Sequence, residues 1–297
     1  MSHCPMLTLA IPNRNGGRYL EHTLASLDRN RPWVRWWLQD SCSTDNSVEI
    51  ATRFAGPGDH IEIEADKSQP DGLNRAISRM GGDIIGFINS DDCLADGAAE
   101  AVLKTFAENP DVDLVYGEVE WINASGASEG FHRGEISSVA DVLDIYRVWW
   151  NKRHWVQPEV FWRRSLWDRV GPINDSYDLA FDYEYWTRCF IAGARTLRIP
   201  RPLAQFRRHD QQKSVAGLKA AAEIRSIVTR ALNSGAPLNT EVRQALSNRL
   251  SYDLYRSGET GRQDAFWMAL LTHPAWLGLP EVRDRLSRSG KSRLFRG

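Results

Sequence analysis

The sequence predicts an α/β fold built on a mostly parallel sheet, and three observations carry that expectation. Short apolar runs alternate with apolar residues at helical spacing through residue 118. Turn and cap residues separate the runs: Pro12 to Gly17, Gln39 to Asp45, and Asn89 to Asp92. The composition is that of a packed globular chain, 297 residues with 42% hydrophobic and 25% charged. Strands alternating with helices at this pace form βαβ units, whose parallel sheet is covered on both faces.

Leu7 to Ile11 reads as the first strand, stopped by Pro12 and the loop Asn13 to Gly17. Tyr19, Leu20, Thr23, Leu24 and Leu27 recur at helical spacing. Trp36 to Leu38 is the second strand, and Thr44 or Asp45 is placed to cap a helix through Val48, Ile50 and Ala51. Ile61 to Ile63 is a third strand, followed by a helix from Gly72 to Met80. Asp83 to Ile88 is a fourth strand that runs directly into Asn89-Ser90-Asp91-Asp92. A helix over Ala98 to Ala107 and a strand over Leu114 to Tyr116 close this half.

Ligands of such sheets sit beyond the carboxyl ends of the strands, so Asn13, Arg14, Asp40 and Asp91 are expected at one crevice. Past residue 120 the chain is Trp-rich and basic to Ser214. Helical periods follow over Ala216 to Leu232, Thr240 to Tyr255 and Gln263 to Leu271, and Glu281 to Gly297 reads as a mobile basic tail.

Charge excludes one class. With 37 Lys+Arg against 38 Asp+Glu the chain lacks the basic excess of a nucleic-acid binder. Cys4, Cys42, Cys93 and Cys189 form no C-x-x-C pair, which suits a reducing compartment. The N-terminus lacks the pattern of a signal peptide, and no run reaches the ~18 apolar residues of a membrane span. A cytoplasmic location is expected. Neither a G-x-G-x-x-G nor a G-x-x-x-x-G-K-[ST] phosphate loop is present, against nicotinamide dehydrogenases and P-loop NTPases.

Carboxylates placed directly after a buried strand are hard oxygen ligands, suited to Mg²⁺ or Mn²⁺ on a diphosphate. The alternative is that Asp91 or Asp92 caps the next helix.

Four segments in order resemble family 2 glycosyltransferases. Leu9 to Asn15 resembles the first strand and loop, and Gln39 to Ser47 resembles the D-G-x-S-x-D-x-T segment. Gln69 to Asn74 with Gly82 to Asp92 resembles the approach to the D-x-D metal site, with Asn89 in place of its first Asp. Gln157 to Phe161, Val170-Gly171 and Phe181 to Trp186 resemble the acceptor-side block.

The resemblance implies a GT-A fold over residues 1–214, with a donor half (1–118), an acceptor half (119–214) and a helical extension (215–297). It implies inverting transfer of a sugar from a UDP- or dTDP-type donor to a saccharide or lipid-linked acceptor, in surface polysaccharide or glycoconjugate synthesis. Asp40 would accept from the nucleobase, Pro12 and Arg14 would line its pocket, and Lys67 and Asn89 would face the donor. Asp91, with His209, would hold a divalent cation, Mn²⁺ or Mg²⁺. Asp182 would be the general base, with Glu184 its rival and an acceptor contact. Ser41 stands where the family has Gly, which requires that turn to avoid positive φ at this residue.

Tryptophan is abundant, 12 in all, and Trp149, Trp150, Trp155, Trp162, Trp167 and Trp186 crowd the acceptor half. Most are expected in the core; Trp155 is the expected platform for a sugar face. Three other activities share parts of this pattern. A sugar-1-phosphate nucleotidyltransferase would need a Gly-rich basic loop after strand one. A silent carbohydrate-binding module would not keep Asp40, Asp91 and Asp182, and a glycoside hydrolase would leave the donor-side segments unexplained. The basic tail is either solvated or a peripheral contact with an anionic membrane at the inner face.

Overall fold

A computed structural model of the chain describes residues 6–213, 217–258 and 263–294. Cys4, the expected boundary at 214–215 and the last residues of the basic tail, 295–297, lie outside the described residues.

β1 (Leu7–Asn13), β2 (Val34–Asp40), β3 (His60–Ile63) and β4 (Ile84–Phe87) pair in parallel in the order β3-β2-β1-β4. β1 and β4 bury every residue, as strands covered on both faces do. Successive side chains go to opposite faces. Leu9 and Ile11 join one apolar cluster with Leu20, Leu24 and Val102, while Ala10 joins the other with Leu73 and Ile77. The covering helices are α1 (Gly17–Asp28), α2 (Ser47–Phe54), α3 (Gln69–Arg79) and α4 (Ala98–Glu108). Ser68 caps α3 by accepting the Asp71 N–H at 3.3 Å, so that helix starts at Gln69 rather than Gly72.

Beyond β4 the sheet changes sense. β5 (Cys93–Leu94), β6 (Leu114–Ile122), β7 (Ser128–His132), β8 (Val160–Arg163) and β9 (Thr196–Arg207) extend it in the order β4-β8-β6-β9-β5, with β7 on β6. β8 lies antiparallel to both β4 and β6, whereas β9 runs parallel to β6. The parallel expectation thus describes the first four strands, and the sheet as a whole is mixed. β6 spans residue 118, so one sheet serves both expected halves.

α5 (Val139–Leu143), α6 (Arg164–Val170) and α7 (Phe181–Ile191) pack with Trp155, Trp162, Trp167 and Trp186 in the larger cluster. α8 (Gly217–Asn233), α9 (Thr240–Ser257) and α10 (Gln263–Thr272) follow, and Ile227, Leu250 and Phe266 enter that same cluster. The segment expected as a mobile tail is instead helical: α11 covers Pro280–Leu294. Val282 is fully buried, which anchors its first turn. Among the described residues no helix is long and apolar enough to cross a membrane.

Candidate active site

The carboxyl ends of β1, β2 and β4 converge. Asp40, at the end of β2, is fully buried. Its Oδ2 accepts from Asn13 Nδ2 at 2.6 Å and Ser43 Oγ at 2.7 Å, and its Oδ1 accepts the Ser43 N–H at 2.7 Å. A carboxylate has about four acceptor positions, so one remains for a ligand N–H. The turn places its positive φ at Cys42 (53°), sparing Ser41, whose N–H continues the ladder to Asn13 O at 2.8 Å. Asp45 links two helix starts, its Oδ1 accepting from the Ser47 N–H and its Oδ2 from the Gly17 N–H. Gly16 and Gly17 are close-approach positions. A Cβ on Gly16 would lie 2.6 Å from Ser90 Oγ and collide with Asn13 Oδ1; one on Gly17 would collide with Asn46 Oδ1.

Past β4, Asn89 sits in an amide network. Its Oδ1 accepts from Gln69 Nε2 at 2.8 Å, and its Nδ2 donates to Asp92 Oδ2 at 3.1 Å and Gln157 Oε1 at 3.2 Å. Gln157 in turn donates to Phe87 O. Asp92 is buried, and its Oδ1 accepts the Arg207 N–H at 2.9 Å. Burial, then the adjacent Asp91 charge, holds the Asp92 carboxyl well above the usual carboxylate range. Arg207, fully buried, donates to Asp91 O and lies 4.9 Å from the centre of the Tyr19 ring.

Asp91 points the other way, to the crevice. Its Oδ2 is 2.9 Å from His209 Nε2, whose ring lies 4.9 Å from that of Tyr19. His209 Nδ1 accepts the Gln211 N–H, so Nε2 carries the proton that Asp91 accepts. A divalent cation shared with a diphosphate needs only one or two protein ligands. Asp91 supplies a carboxylate oxygen, and His209 Nε2 would supply an imidazole nitrogen in the other tautomer, with its proton moved to Nδ1 and the Gln211 contact given up; in that state the pair fits such a cation. Among the described residues no group of three His, Cys, Asp or Glu could cage a metal alone.

Asp182 opens α7, and Phe181 beside it packs on Phe87 at the end of β4 with ring centres 6.0 Å apart. Its Oδ1 accepts the Tyr183 N–H at 2.7 Å, and no cation pairs with it among the described residues. Burial pushes its carboxyl up to about 6, with the Glu223 charge a smaller contribution in the same direction. Glu223 on α8 holds the preceding turn, accepting the N–H groups of Asp178 at 3.3 Å, Leu179 at 2.9 Å and Ala180 at 2.8 Å.

Residues 8–172 match the family described as "Glycosyl transferase family 2". The chain belongs to that family. A "PGL/p-HBAD biosynthesis glycosyltransferase" of Mycobacterium bovis is 30% identical over 199 residues, covering 65% of this chain and 73% of the relative. Staphylococcus aureus TarS 1-349, solved in complex with UDP-GlcNAc, superposes with a TM-score of 0.64 at 15% identity over 92% of this chain and 79% of that one. The mannosyltransferase PcManGT of Pyrobaculum calidifontis, solved with GDP-Man and Mn²⁺, gives 0.58 at 18% identity over 97% and 84%. The fold is GT-A, and the protein is a glycosyltransferase of the hexosyltransferase type.

Within this glycosyltransferase, Pro12 is buried in β1, Arg14 is exposed on the loop after it, and Lys67 is exposed on the loop after β3. Two expected acceptor contacts are corrected. The Trp155 ring is 4% exposed and packs on Tyr116, Phe190 and Trp186, with centres 4.6, 5.4 and 6.2 Å away; it is core, turned under β6. Glu184 is buried with both oxygens 3.0 Å from Arg188 Nε, and Arg188 also donates to Val170 O and Pro172 O. That carboxylate holds the α6–α7 loop and presents nothing to an acceptor. The structure adds Gln69, Gln157, Arg207 and Glu223 to the site. Gln69 and Gln157 lie inside the resembling segments, whereas nothing local in the sequence links Arg207 or Glu223 to the crevice.

Proposed function

We propose that the protein is an inverting glycosyltransferase in which Asp182 is the general base. The observation that carries this reading is the Asp182 carboxyl itself: half-buried, unpaired by any cation among the described residues, and held near 6 at the start of α7. A base with that property is largely ionised at neutral pH yet takes a proton readily. It accepts the acceptor hydroxyl proton as that oxygen attacks the anomeric carbon opposite the departing diphosphate.

On the donor side, the free acceptor position of Asp40 suits a nucleobase N–H, with Pro12 and Arg14 beside it and Lys67 and Asn89 toward the diphosphate. Asp91 and His209 hold a divalent cation, Mn²⁺ or Mg²⁺, which when bound neutralises charge on the leaving diphosphate. The amide network of Gln69, Asn89 and Gln157 keeps the Asp91 turn in register with β4. UDP- or dTDP-linked sugars are the proposed donors, and a GDP-linked sugar belongs in the screen because PcManGT was solved with GDP-Man. A hydroxyl of a saccharide or lipid-linked glycoconjugate is the proposed acceptor; the likeness to a mycobacterial PGL/p-HBAD biosynthesis glycosyltransferase supports that class.

The test is a donor screen by calorimetry and sugar release with Mn²⁺ or Mg²⁺, using wild type, Asp91→Ala and Asp182→Asn. Asp91→Ala is expected to lose cation-dependent donor binding. Asp182→Asn is expected to bind donor normally and lose at least ~100-fold in turnover. Undiminished turnover in Asp182→Asn would falsify the assignment of the base, and the anomeric configuration of the product tests inversion.

A further inference from the structure

α10 is apolar on more than one face. Phe266 and Leu270 are buried in the core, while Trp267, Met268 and Leu271 on the other side are exposed, Leu271 at 76%. These three stand at i, i+1 and i+4, one continuous ridge. The following turn, Pro274–Gly278, adds Leu277, 49% exposed. A helix with apolar residues on all sides is normally buried, and a clustered apolar surface marks an interaction site.

A basic group borders this ridge, and a second joins the two helices on the buried side. Arg283 on α11 donates to Leu277 O at 3.2 Å and Gly278 O at 2.9 Å, which places its guanidinium on the same turn as Leu277. The Arg285 guanidinium lies 3.9 Å from the centre of the Phe266 ring, tying α11 to α10. Residues 280–294 hold five basic side chains (Arg283, Arg285, Arg288, Lys291, Arg293) against Glu281 and Asp284, in a chain whose formal charge is -1. The positive charge is therefore local to the helix beside the apolar ridge.

We propose that the α10 ridge and the basic α11 helix form a docking surface for an anionic lipid bilayer. Trp267, Met268, Leu271 and Leu277 enter the headgroup–acyl boundary, and Arg283 and Arg288, exposed on α11, meet the anionic headgroups. An aromatic ring with aliphatic neighbours suits that boundary, and apolar insertion plus a basic patch are the two signals that peripheral attachment requires. A symmetric self-interface on the same ridge would bring two basic helices together, like charge against like. The surface lies on the helical extension and does not depend on the donor chemistry.

The full-length protein is sedimented with phosphatidylcholine vesicles containing 30% phosphatidylglycerol, and with pure phosphatidylcholine vesicles. Wild type is expected to partition at least tenfold more strongly to the anionic vesicles and to be released by 0.5 M NaCl. Trp267→Ser with Leu271→Asp is expected to lower that partitioning about tenfold, with donor binding unchanged. A second readout does not rely on that variant: brominated phosphatidylcholine in the anionic vesicles quenches tryptophan emission in wild type, and Trp267→Phe removes most of the quenching while still sedimenting. Equal partitioning to neutral and anionic vesicles, unchanged partitioning of the double variant, or quenching that survives Trp267→Phe overturns the proposal. A dimer in solution that the double variant dissociates, with vesicle binding intact, also overturns it and assigns the ridge to a second copy.

Discussion

Asp182 and Glu159 show the same physical force with opposite uses. Both carboxyls are raised chiefly by burial. Asp182 keeps an open side at the start of α7, and as the proposed base it works only when ionised. Turnover is therefore expected to rise with pH through a single ionisation near 6 and to be level above it; a pH profile of kcat checks this, and a flat profile between 5 and 7 rejects it. Glu159 is fully buried just before β8, with Oε1 accepting the Val156 N–H at 2.9 Å and Oε2 unpartnered. Its folded-state value lies well above 4.5, so the native state holds a proton that the unfolded chain releases, and stability declines as pH rises past that value. Glu159→Gln removes that dependence. Its Tm is expected to exceed wild type at pH 7.5 and to match it at pH 4, and a gap of equal size at both pH values counts against the argument. Residue positions of this kind were only partly legible. Asp40 and Asp91 follow from where carboxylates fall after strands and Asp182 from the family resemblance, whereas the inward turn of Trp155 depends on Tyr116 and Phe190, which no local pattern connects to it.

Elements reach the crevice through a few side chains that bridge distant strands. Arg207 ends β9 yet binds Asp91 O, the backbone of Asn123 and Cys93 Sγ, fixing the turn that presents Asp91. It is 1% exposed, and Arg207→Leu keeps the backbone N–H bond to Asp92 but deprives Asp91 O and Asn123 O of their donor. Arg207→Leu is expected to lower stability by about 3 kcal/mol in urea unfolding and to weaken cation-dependent donor binding as well. Glu223 plays the matching part for Asp182. Glu223→Gln keeps the shape but weakens the three N–H contacts to residues 178–180 and removes a negative charge. The acid limb of kcat is expected to move below 6, with KM for the donor unchanged; an unmoved limb counts against that role. β1 through α4 were legible because their apolar residues keep period 2 or 3.6. β9 was not: it carries Pro200, Pro202 and three arginines within Thr196–Arg207, and the register with β6 shifts where the prolines fall. The sequence of α11 resembles a tail because apolar anchors, Val282 and the partly buried Leu286, fall only in its first half.

For the whole molecule, the question is whether the helical extension is separable from the GT-A unit, and the packing says that it is not. Ile224, Ile227, Val228 and Ala231 on α8, Leu246, Leu250 and Tyr252 on α9, and Trp276 share one cluster with Phe87, Trp162 and Phe181. The same cluster therefore reaches from the end of β4, beside the crevice, to the last third of the chain. Specific pairs reinforce it. Trp150 Nε1 donates to Asp253 Oδ1 at 3.0 Å, Arg225 pairs with the other oxygen of Asp253 at 2.6 Å, and Arg249 binds Asp144 beyond α5. A chain ended after Lys213 would expose the faces of α5 and α7 that these helices cover, and it would lose the Glu223 contacts that hold the turn before Asp182. Each fully buried aliphatic side chain contributes roughly 1.5–3 kcal/mol, so losing several exceeds the whole margin of about 5–15 kcal/mol typical of a domain. The truncated chain is expected to aggregate or to lack a cooperative thermal transition, while a chain ended after Leu279, which keeps α8 to α10, is expected to fold and to bind donor. A soluble, cooperatively unfolding 1–213 fragment with normal donor affinity would show instead that the extension is an independent module.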